Sequence, residues 1–296
     1  MEVLALILPT RQISGHTGLY AVIGDPVTHS LSPLIMNSAF AYNGIDAVYV
    51  ALTVREEDAR EAMQMLRSFG IKGVNVTMPL KQAIVPWLDQ LSPEAALVGA
   101  ANCVINRNGV LAGHNTDCTG FRLSLEACFP QAPKTAFLMG AGGAARAIAS
   151  ELVRWGCASL YLTNRSTEKA WLLADILRPQ GITVIRVLDW QSPEWIAALS
   201  ESAIVINATS LGMGDKGNLA ELLPWERLDS RTVIYETVYS PLETAFLRQA
   251  RQNGLRVIAG TELLLCQAVA GFELWTETKA PVEVMKKSLL SALEAG

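Results

Sequence analysis

Residues 135–156 read TAFLMGAGGAARAIASELVRWG and combine a strand pattern, a glycine-rich turn and a helix pattern, in that order. Gly140 permits the tight turn after the strand, Gly142 lets a ligand approach the backbone, and the small Ala145 lets helix and strand pack closely. The free N–H groups at the start of the helix favour an anion such as a pyrophosphate. In this context the pattern predicts a dinucleotide site, although a turn that binds no ligand can carry the same glycines.

The end of the next strand distinguishes between the two nicotinamide dinucleotides. An NAD site usually has a carboxylate there, which accepts a hydrogen bond from the ribose 2′-hydroxyl. Residues 163–167 read TNRST and contain no carboxylate. Arg165 can pair with a 2′-phosphate, Asn164 and Ser166 can offer neutral donors, and Lys169 can add positive charge. The sequence therefore favours NADP(H) over NAD(H), and the alternative is an exposed arginine at a strand end.

Strand and helix patterns continue to alternate after the glycine turn, through SLYLTNR, TVIRVLDW, AIVINAT and TVIYETVY. Such alternation implies parallel strands joined by right-handed crossovers. Residues 118–260 are therefore predicted to form a Rossmann-type NADP-binding domain. Helix patterns follow in residues 261–296, with a break near Pro281, and we expect these helices to return to the first domain, although periodicity alone does not require it.

Residues 18–117 mix strand and helix patterns and predict an α/β domain with a mixed sheet. Strands are expected at 20–24, 47–54 and 73–79, and a helix at 33–43. Asn108 and Gly109 lie between two apolar runs, which is typical of a hairpin turn. With residues 261–296, this half is predicted to form one domain.

A second helix is expected in the same half, at EEDAREAMQMLRSFG. Its apolar residues Ala59, Met63, Leu66 and Phe69 recur at helical spacing. The helix is expected to stop at Gly70.

Composition narrows the possible partners and location. The 296 residues carry a net charge of −4 and show no basic patch, which argues against nucleic acid. No apolar run is long enough to span a membrane. The N-terminal MEVLALILPTRQ lacks a basic region before its apolar run, so it is interpreted as a tail or first strand rather than a signal peptide. Five scattered cysteines and three dispersed histidines predict a cytoplasmic protein without disulfides or a metal site.

Several polar residues of the first half lie inside otherwise apolar segments. In GVNVTMPLKQ, residues 73–82, Asn75 and Thr77 share one face of a strand, and Lys81 follows just past its end. Ser30 and Ser32 precede a helix, where they can cap it or bind a carboxylate. Each residue alone has an ordinary structural explanation, and Lys81 alone would be a solvated lysine. Their combination favours a ligand site at the carboxyl end of the strand.

Eight segments together resemble the shikimate dehydrogenases, including their shikimate/quinate relatives. In chain order they are GDPVTHSLSP, NVTMPLK, GAANCVIN, HNTDCTGF, GAGGAARA, NATSLGM, ETVYSP and ELLLCQA. The resemblance extends from about residue 18 to about residue 290, and several segments are specific to this family. It implies NADP-dependent, reversible reduction of 3-dehydroshikimate to shikimate, with a small molecule as substrate. It also implies that residues 18–117 and 261–296 form the substrate-binding domain, separated from the NADP-binding domain by a cleft. A homodimer is one assembly that the sequence leaves open.

The resemblance also implies roles for individual residues. Lys81 and Asp117 would form the catalytic acid–base pair. The substrate would be bound by Ser30, Ser32, Asn75, Thr77, Asn102, Tyr239 and Gln267. The cofactor would be bound by Gly140, Ala141, Gly142, Gly143, Ala144, Asn164, Arg165, Ser166, Thr209, Ser210 and Gly260. No metal is implied.

Three alternatives stay open at this point. A broader quinate/shikimate dehydrogenase could also use NAD, although Ser32 mildly favours shikimate because quinate-preferring members often have threonine there. A sensor that binds the dinucleotide without catalysis would be expected to lack Lys81 or Asp117. Another class of reductase would share the glycine turn alone. Cys118, His114 and Glu262 depart from the commonest family pattern and leave the substrate range open.

Overall fold

The computed structural model describes residues 13–214 and 216–295, which form two six-stranded sheets with helices packed around them. The predicted N-terminal tail or first strand, residues 1–12, lies outside the described residues. The strands of the first sheet are β1 (Gly18–Gly24), β2 (Ala47–Thr53), β3 (Gly73–Val76), β4 (Gln90–Leu91), β5 (Cys103–Arg107) and β6 (Val110–His114). Those of the second are β7 (Thr135–Met139), β8 (Ser159–Thr163), β9 (Val184–Leu188), β10 (Ile204–Asn207), β11 (Val233–Glu236) and β12 (Arg256–Ile258).

Eleven α-helices lie within these described residues. Five precede the second sheet: α1 (Ser32–Tyr42), α2 (Ala59–Ser68), α3 (Leu80–Ala83), α4 (Pro93–Val98) and α5 (Thr116–Leu125). Six follow its first strand: α6 (Gly143–Trp155), α7 (Thr167–Leu177), α8 (Trp195–Ser200), α9 (Ala245–Gln252), α10 (Gly260–Thr276) and α11 (Val282–Ala295). Within this part of the chain no helix is long and apolar enough to cross a membrane.

The first sheet is mixed, as predicted. Its strand order is β2-β1-β3-β5-β6-β4, with β1 parallel to β2 and β3, and β5 antiparallel to β3 and β6. Asn108 and Gly109 form the predicted hairpin turn, and both have positive φ angles, 54° and 89°. Phe69, the last apolar residue at helical spacing, lies just past the end of α2 and is 69% exposed, and the chain turns at Gly70 with φ 64°.

The second sheet is entirely parallel, with the order β12-β11-β10-β7-β8-β9. The order reverses between β7 and β10, and in open parallel sheets ligands bind outside the carboxyl ends of the strands at such a point. The glycine turn follows β7 and leads into α6 at that position. The Rossmann-type prediction is confirmed, including the place of its glycine turn.

Two helices, α5 and α10, contribute to both halves of the molecule. Phe121 of α5 belongs to the core around the second sheet, together with Leu263 of α10. Further along α10, Ala268 and Phe272 pack in the core between α1 and the first sheet. The predicted domain boundaries at 117/118 and 260/261 stay a prediction, and both fall within a turn of the start of one of these shared helices.

Gly73, at the start of β3, permits the close approach of α10. A methyl group at this position would lie 2.7 Å from Cδ1 of Trp275, whose indole N–H donates to the Val104 carbonyl at 3.1 Å. Since the indole is held by that bond, we expect Gly73→Ala to lower the free energy of unfolding by about 1–3 kcal/mol. Urea unfolding measures the change. Gly15→Ala, where a methyl group would contact none of the described residues within 4 Å, is the control, and equal stability of both variants would contradict the prediction.

Candidate active site

Lys81 and Asp117 form an ion pair at the junction of the two halves. Lys81 Nζ lies 2.6 Å from Asp117 Oδ2, and the side chains are only 20% and 13% exposed. A Cβ added at Gly143, the first residue of α6, would lie 3.9 Å from Lys81 Cδ. The lysine stem therefore lies beside the glycine turn, and its ammonium does not face the outer surface.

The backbone around Lys81 is anchored on both sides. β3 ends at Val76, whose N–H donates to the Asn102 carbonyl at 2.8 Å, and α3 begins four residues later. The Lys81 carbonyl accepts from the Ala101 N–H at 2.9 Å. The segment that carries Asn102 is thereby fixed next to the segment that carries Lys81.

Asn102 orients the carboxylate of Asp117. Its Nδ2 donates to Asp117 Oδ1 at 2.8 Å, and its Oδ1 accepts from the Thr116 N–H at 2.6 Å and from the Thr116 hydroxyl at 3.2 Å. Asn102 and Thr116 are buried. Asp117 thus uses one carboxylate oxygen for Asn102 and the other for Lys81, which fixes the direction of the ion pair.

Asn75 is fixed by a hydrogen bond from Tyr49, a residue that the sequence pattern did not place at the site. The Tyr49 hydroxyl donates to Asn75 Oδ1 at 2.7 Å, and Asn75 Nδ2 donates to the Asn102 carbonyl at 3.3 Å. Burial raises the pKa of Tyr49 well above its usual value, a rise that a hydrogen bond with Ser32 opposes, so the phenol stays a donor at neutral pH. The period-2 pattern of β2 predicts burial of Tyr49 but not this partner.

Three of the remaining predicted substrate residues lie near the same edge of the first sheet. β1 and β3 are parallel neighbours, so Ser30 and Ser32, which follow β1, and Thr77, which follows β3, are on one side. The Ser30 hydroxyl accepts from the Ser32 N–H at 3.3 Å, where α1 begins. Gln267 comes from α10, is 9% exposed and donates from Nε2 to the Leu264 carbonyl at 2.9 Å.

The glycine turn leaves open space where a pyrophosphate would lie. Gly140 has φ 117°, and a Cβ there would lie 2.5 Å from the Ala208 carbonyl oxygen, so the turn packs directly on the end of β10. A Cβ at the exposed Gly142 would meet no atom within 4 Å. Ala141 and Ala144 are half-buried beside it. The free N–H groups of a 13-residue helix face this space.

The segment after β8 carries Arg165, whose guanidinium is available to bind a ligand. Arg165 is exposed and forms no ion pair with any residue that the structure describes. Asn164 Nδ2 donates to the Ser166 carbonyl at 2.9 Å, which shapes the turn before α7. A carboxylate that the sequence analysis did not consider, Asp189, follows β9 and accepts from the Thr167 hydroxyl at 3.1 Å.

Predicted cofactor residues follow β10 and β12, and the predicted substrate residue Tyr239 follows β11. The Thr209 hydroxyl donates to Asn207 Oδ1 at 2.7 Å, and Ser210 next to it is exposed. Gly260 is required by close packing, because a Cβ there would lie 2.5 Å from the Val238 carbonyl carbon. Tyr239 is half-buried, and burial raises the pKa of its phenol.

The three departures from the family pattern lie outside the ion pair. Cys118 is buried between α5 and α6, with Sγ 3.5 Å from the Ala147 carbonyl. His114 lines a cavity of about 390 Å³ with Glu94 and Glu273, and burial lowers its pKa. Glu262 pairs with Lys286 of α11 at 3.2 Å. Among residues 13–214 and 216–295, no group of three or more His, Cys, Asp or Glu could hold a metal ion.

Family sequence models match most of the chain. The shikimate dehydrogenase substrate binding domain matches residues 22–104, shikimate/quinate 5-dehydrogenase matches 125–213, and the shikimate 5′-dehydrogenase C-terminal domain matches 260–290. A shikimate dehydrogenase (NADP(+)) of Moorella thermoacetica is 44% identical over 286 residues, which cover 96% of each chain. This chain belongs to the shikimate dehydrogenase family.

Solved structures of shikimate dehydrogenases share the whole architecture. The enzyme of Listeria monocytogenes in complex with shikimate and NAD has a TM-score of 0.89 and 36% identity, over 95% of this chain and 99% of that one. The enzyme of Thermus thermophilus in complex with NADP(H) and shikimate has a TM-score of 0.82 and 33% identity, over 94% and 100%. The predicted fold of a substrate domain and a Rossmann-type NADP-binding domain is confirmed.

Proposed function

We propose that this member of the shikimate dehydrogenase family reduces 3-dehydroshikimate to shikimate with NADPH and catalyses the reverse reaction with NADP⁺. The observation that carries the proposal is the half-buried Lys81–Asp117 pair beside the glycine turn. It brings a proton donor from one half of the molecule to the predicted cofactor site of the other. The relatives above support the substrate and the cofactor.

Lys81 is the proton donor and acceptor in this proposal. When bound, the nicotinamide supplies the hydride for the ketone carbon and takes it back in the reverse direction. The ketone oxygen gains negative charge as its carbon is reduced, and the Lys81 ammonium gives it a proton. Asp117 holds the ammonium in place through a charge-assisted bond of 2.6 Å and is itself oriented by Asn102.

Substrate recognition is assigned to the edge of the first sheet. Ser30, Ser32 and Thr77 would bind the carboxylate, with the N-terminus of α1 adding partial positive charge. The groups around the ring would be Asn75, Asn102, Gln267 and Tyr239. Because Asn75 already bonds Tyr49 and the Asn102 carbonyl, its contribution is expected to be smaller than that of Gln267, whose side-chain oxygen is not needed for the bond to Leu264.

Cofactor recognition is assigned to the second sheet. The turn residues Gly140 to Ala144 would bind the pyrophosphate at the start of α6, and Asn164, Arg165 and Ser166 would bind the adenosine 2′-phosphate. Thr209, Ser210 and Gly260 would line the nicotinamide end. The open space at Gly142 and the unpaired Arg165 suit a dinucleotide with an extra phosphate.

An absorbance assay at about 340 nm, which follows reduced nicotinamide, tests the function. Shikimate and quinate are each offered with NADP⁺ and with NAD⁺. We expect the shikimate and NADP⁺ pair to give the highest kcat/KM, since Arg165 can pair with the 2′-phosphate. Absence of turnover with shikimate and either cofactor would contradict the proposed reaction.

The alternative is a quinate/shikimate dehydrogenase that accepts NAD as well. Asp189 favours it, because this carboxylate lies at 3.1 Å from Thr167 beside the predicted adenosine site and could bond a ribose hydroxyl. The assay above separates the two, since the alternative predicts comparable kcat/KM for both cofactors.

Cytoplasmic location is proposed from five free cysteines. The homodimer and the domain limits 18–117 plus 261–296 and 118–260 also stay proposals.

A further inference from the structure

Glu236 is a fully buried carboxyl group that the proposed reaction does not use. It is the last residue of β11 and is 0% exposed. Burial raises its pKa to about 7, and the hydrogen bonds from Val238, Asn207, Thr244 and Thr237 oppose that rise. None of the ion pairs among the described residues includes Glu236. A buried carboxyl without a cation is costly, so its position calls for a reason.

The Glu236 side chain joins the ends of two neighbouring strands. β10 and β11 are parallel, and their register pairs Asn207 with Glu236. Glu236 Oε1 accepts from Asn207 Nδ2 at 2.8 Å and from the Val238 N–H at 2.9 Å. Its Oε2 accepts from the Thr244 hydroxyl at 3.1 Å, and Thr244 is the N-cap of α9. Three different segments are therefore tied to one carboxyl group.

Asn207, which Glu236 fixes, forms hydrogen bonds with the turn that follows β10. Its Nδ2 also donates to the Leu211 carbonyl at 3.1 Å, and its Oδ1 accepts from the Thr209 N–H at 3.0 Å and from the Thr209 hydroxyl at 2.7 Å. The Thr209 hydroxyl in turn accepts from the Leu211 N–H at 3.1 Å. Glu236 therefore supports residues 207–211 on one side and residues 236–239 on the other.

These two supported segments contain or contact the residues assigned to the nicotinamide end of the cofactor. Thr209 and Ser210 lie on the first segment, and Val238 of the second packs against Gly260. Tyr239, at the end of the second segment, is assigned to the substrate. The residues assigned to the adenosine end, Asn164 to Ser166, follow β8 instead, and the Asn164 amide donates to the Ser166 carbonyl within their own turn. The network thus supports one end of the cofactor site.

We infer that Glu236 is a positioning residue for the nicotinamide end of the cofactor, holding the 207–211 and 236–239 segments in register; this rests on the proposed NADP binding. The positioning depends on the geometry of the Glu236 side chain rather than on its charge, because its two oxygens must form hydrogen bonds with three segments at once. The side chain at position 236 must therefore provide one oxygen that accepts hydrogen bonds from Asn207 and Val238. It must also provide a second group that can form a hydrogen bond with the Thr244 hydroxyl.

Three substitutions of Glu236 test whether these hydrogen bonds are required. Gln keeps an acceptor at Oε1 and can donate to Thr244, so we expect Glu236→Gln to retain kcat/KM for NADPH within about threefold. Glu236→Ala loses all the bonds, and we expect kcat/KM to fall about 10- to 100-fold, because a misplaced reacting group costs rate steeply. Glu236→Asp keeps the charge but is one methylene shorter and is expected to fall between them.

Binding of adenosine 2′,5′-bisphosphate separates positioning from loss of fold. This probe contains only the adenosine end, so its Kd is expected to stay within about twofold of the wild-type value in all three variants. Equal loss of probe binding and of activity would overturn the inference. So would wild-type activity in Glu236→Ala, or a functional Asp variant beside an inactive Gln variant.

The control is Glu243→Gln, which removes an exposed carboxylate next to Thr244 that pairs with Arg248 and Arg251. Its kinetics are expected to match the wild type. If the wild-type protein neither turns over shikimate nor binds the probe, the proposed function itself fails. A failure confined to the position-236 variants leaves the proposed function intact and removes only the inference.

Discussion

Lys81→Ala is expected to lower kcat for shikimate oxidation by about 10²- to 10⁴-fold, the usual contribution of a positioned acid–base group. The variant removes the only ammonium paired with Asp117 among the described residues and leaves the glycine turn unchanged. The KM for NADP⁺ is therefore expected to change little. Steady-state kinetics at saturating shikimate, followed at about 340 nm as nicotinamide is reduced, measure both parameters.

The matched control is Lys72→Ala. Lys72 precedes β3 and is exposed, whereas Lys81 follows the same strand and is largely buried. Its removal is expected to leave kcat unchanged. A Lys81→Ala variant with near-wild-type kcat would show that another group transfers the proton, and the role assigned to the ion pair would be wrong.

Arg165→Ala is expected to change the preference between the cofactors. A hydrogen bond to a charged group contributes about 1.5–3 kcal/mol, and each 1.4 kcal/mol is about tenfold. We therefore expect kcat/KM for NADP⁺ to fall about 10- to 150-fold, while kcat/KM for NAD⁺, which has no 2′-phosphate, stays nearly constant. Initial rates with both cofactors and saturating shikimate give the ratio.

Arg256→Ala serves as the control, because Arg256 is an exposed arginine on β12, at the opposite edge of the same sheet. It is expected to leave the ratio of NADP⁺ to NAD⁺ unchanged. If Arg165→Ala also leaves this ratio unchanged, the 2′-phosphate does not bind at Arg165, and Asp189 becomes the residue to test for ribose recognition.

Positioning of the site depends on pairs of residues that are far apart in the chain. Lys81 and Asp117 are 36 positions apart and meet because α3 and α5 start near the same edge of the first sheet. The local sequence pattern did not predict two hydrogen bonds of the site. Asn102 donates to Asp117 and orients its carboxylate, and the Tyr49 hydroxyl donates to the side-chain oxygen of Asn75. These partners result from strand order and register, which a single sequence does not specify.

The sequence by itself determined the features that depend on local sterics and spacing. The glycines after β7, the positive-φ turn at Asn108 and Gly109, and the alternation of strands and helices all follow from backbone rules that act over a few residues. Phe69 shows the limit of such rules, since it continues the helical spacing of the apolar residues in α2 but lies past the end of the helix and is exposed.

Tertiary structure alone decided which polar groups are free and which are already bonded. The buried Glu236 carboxyl and its three supported segments are invisible in the segment ETVYSP, where glutamate would ordinarily be exposed. The same holds for the return of α10 to the first sheet, where Gly73 admits Trp275. The physical reason is that burial and hydrogen bonding are settled by packing between distant elements, whereas turn and helix formation are settled by neighbours in the chain.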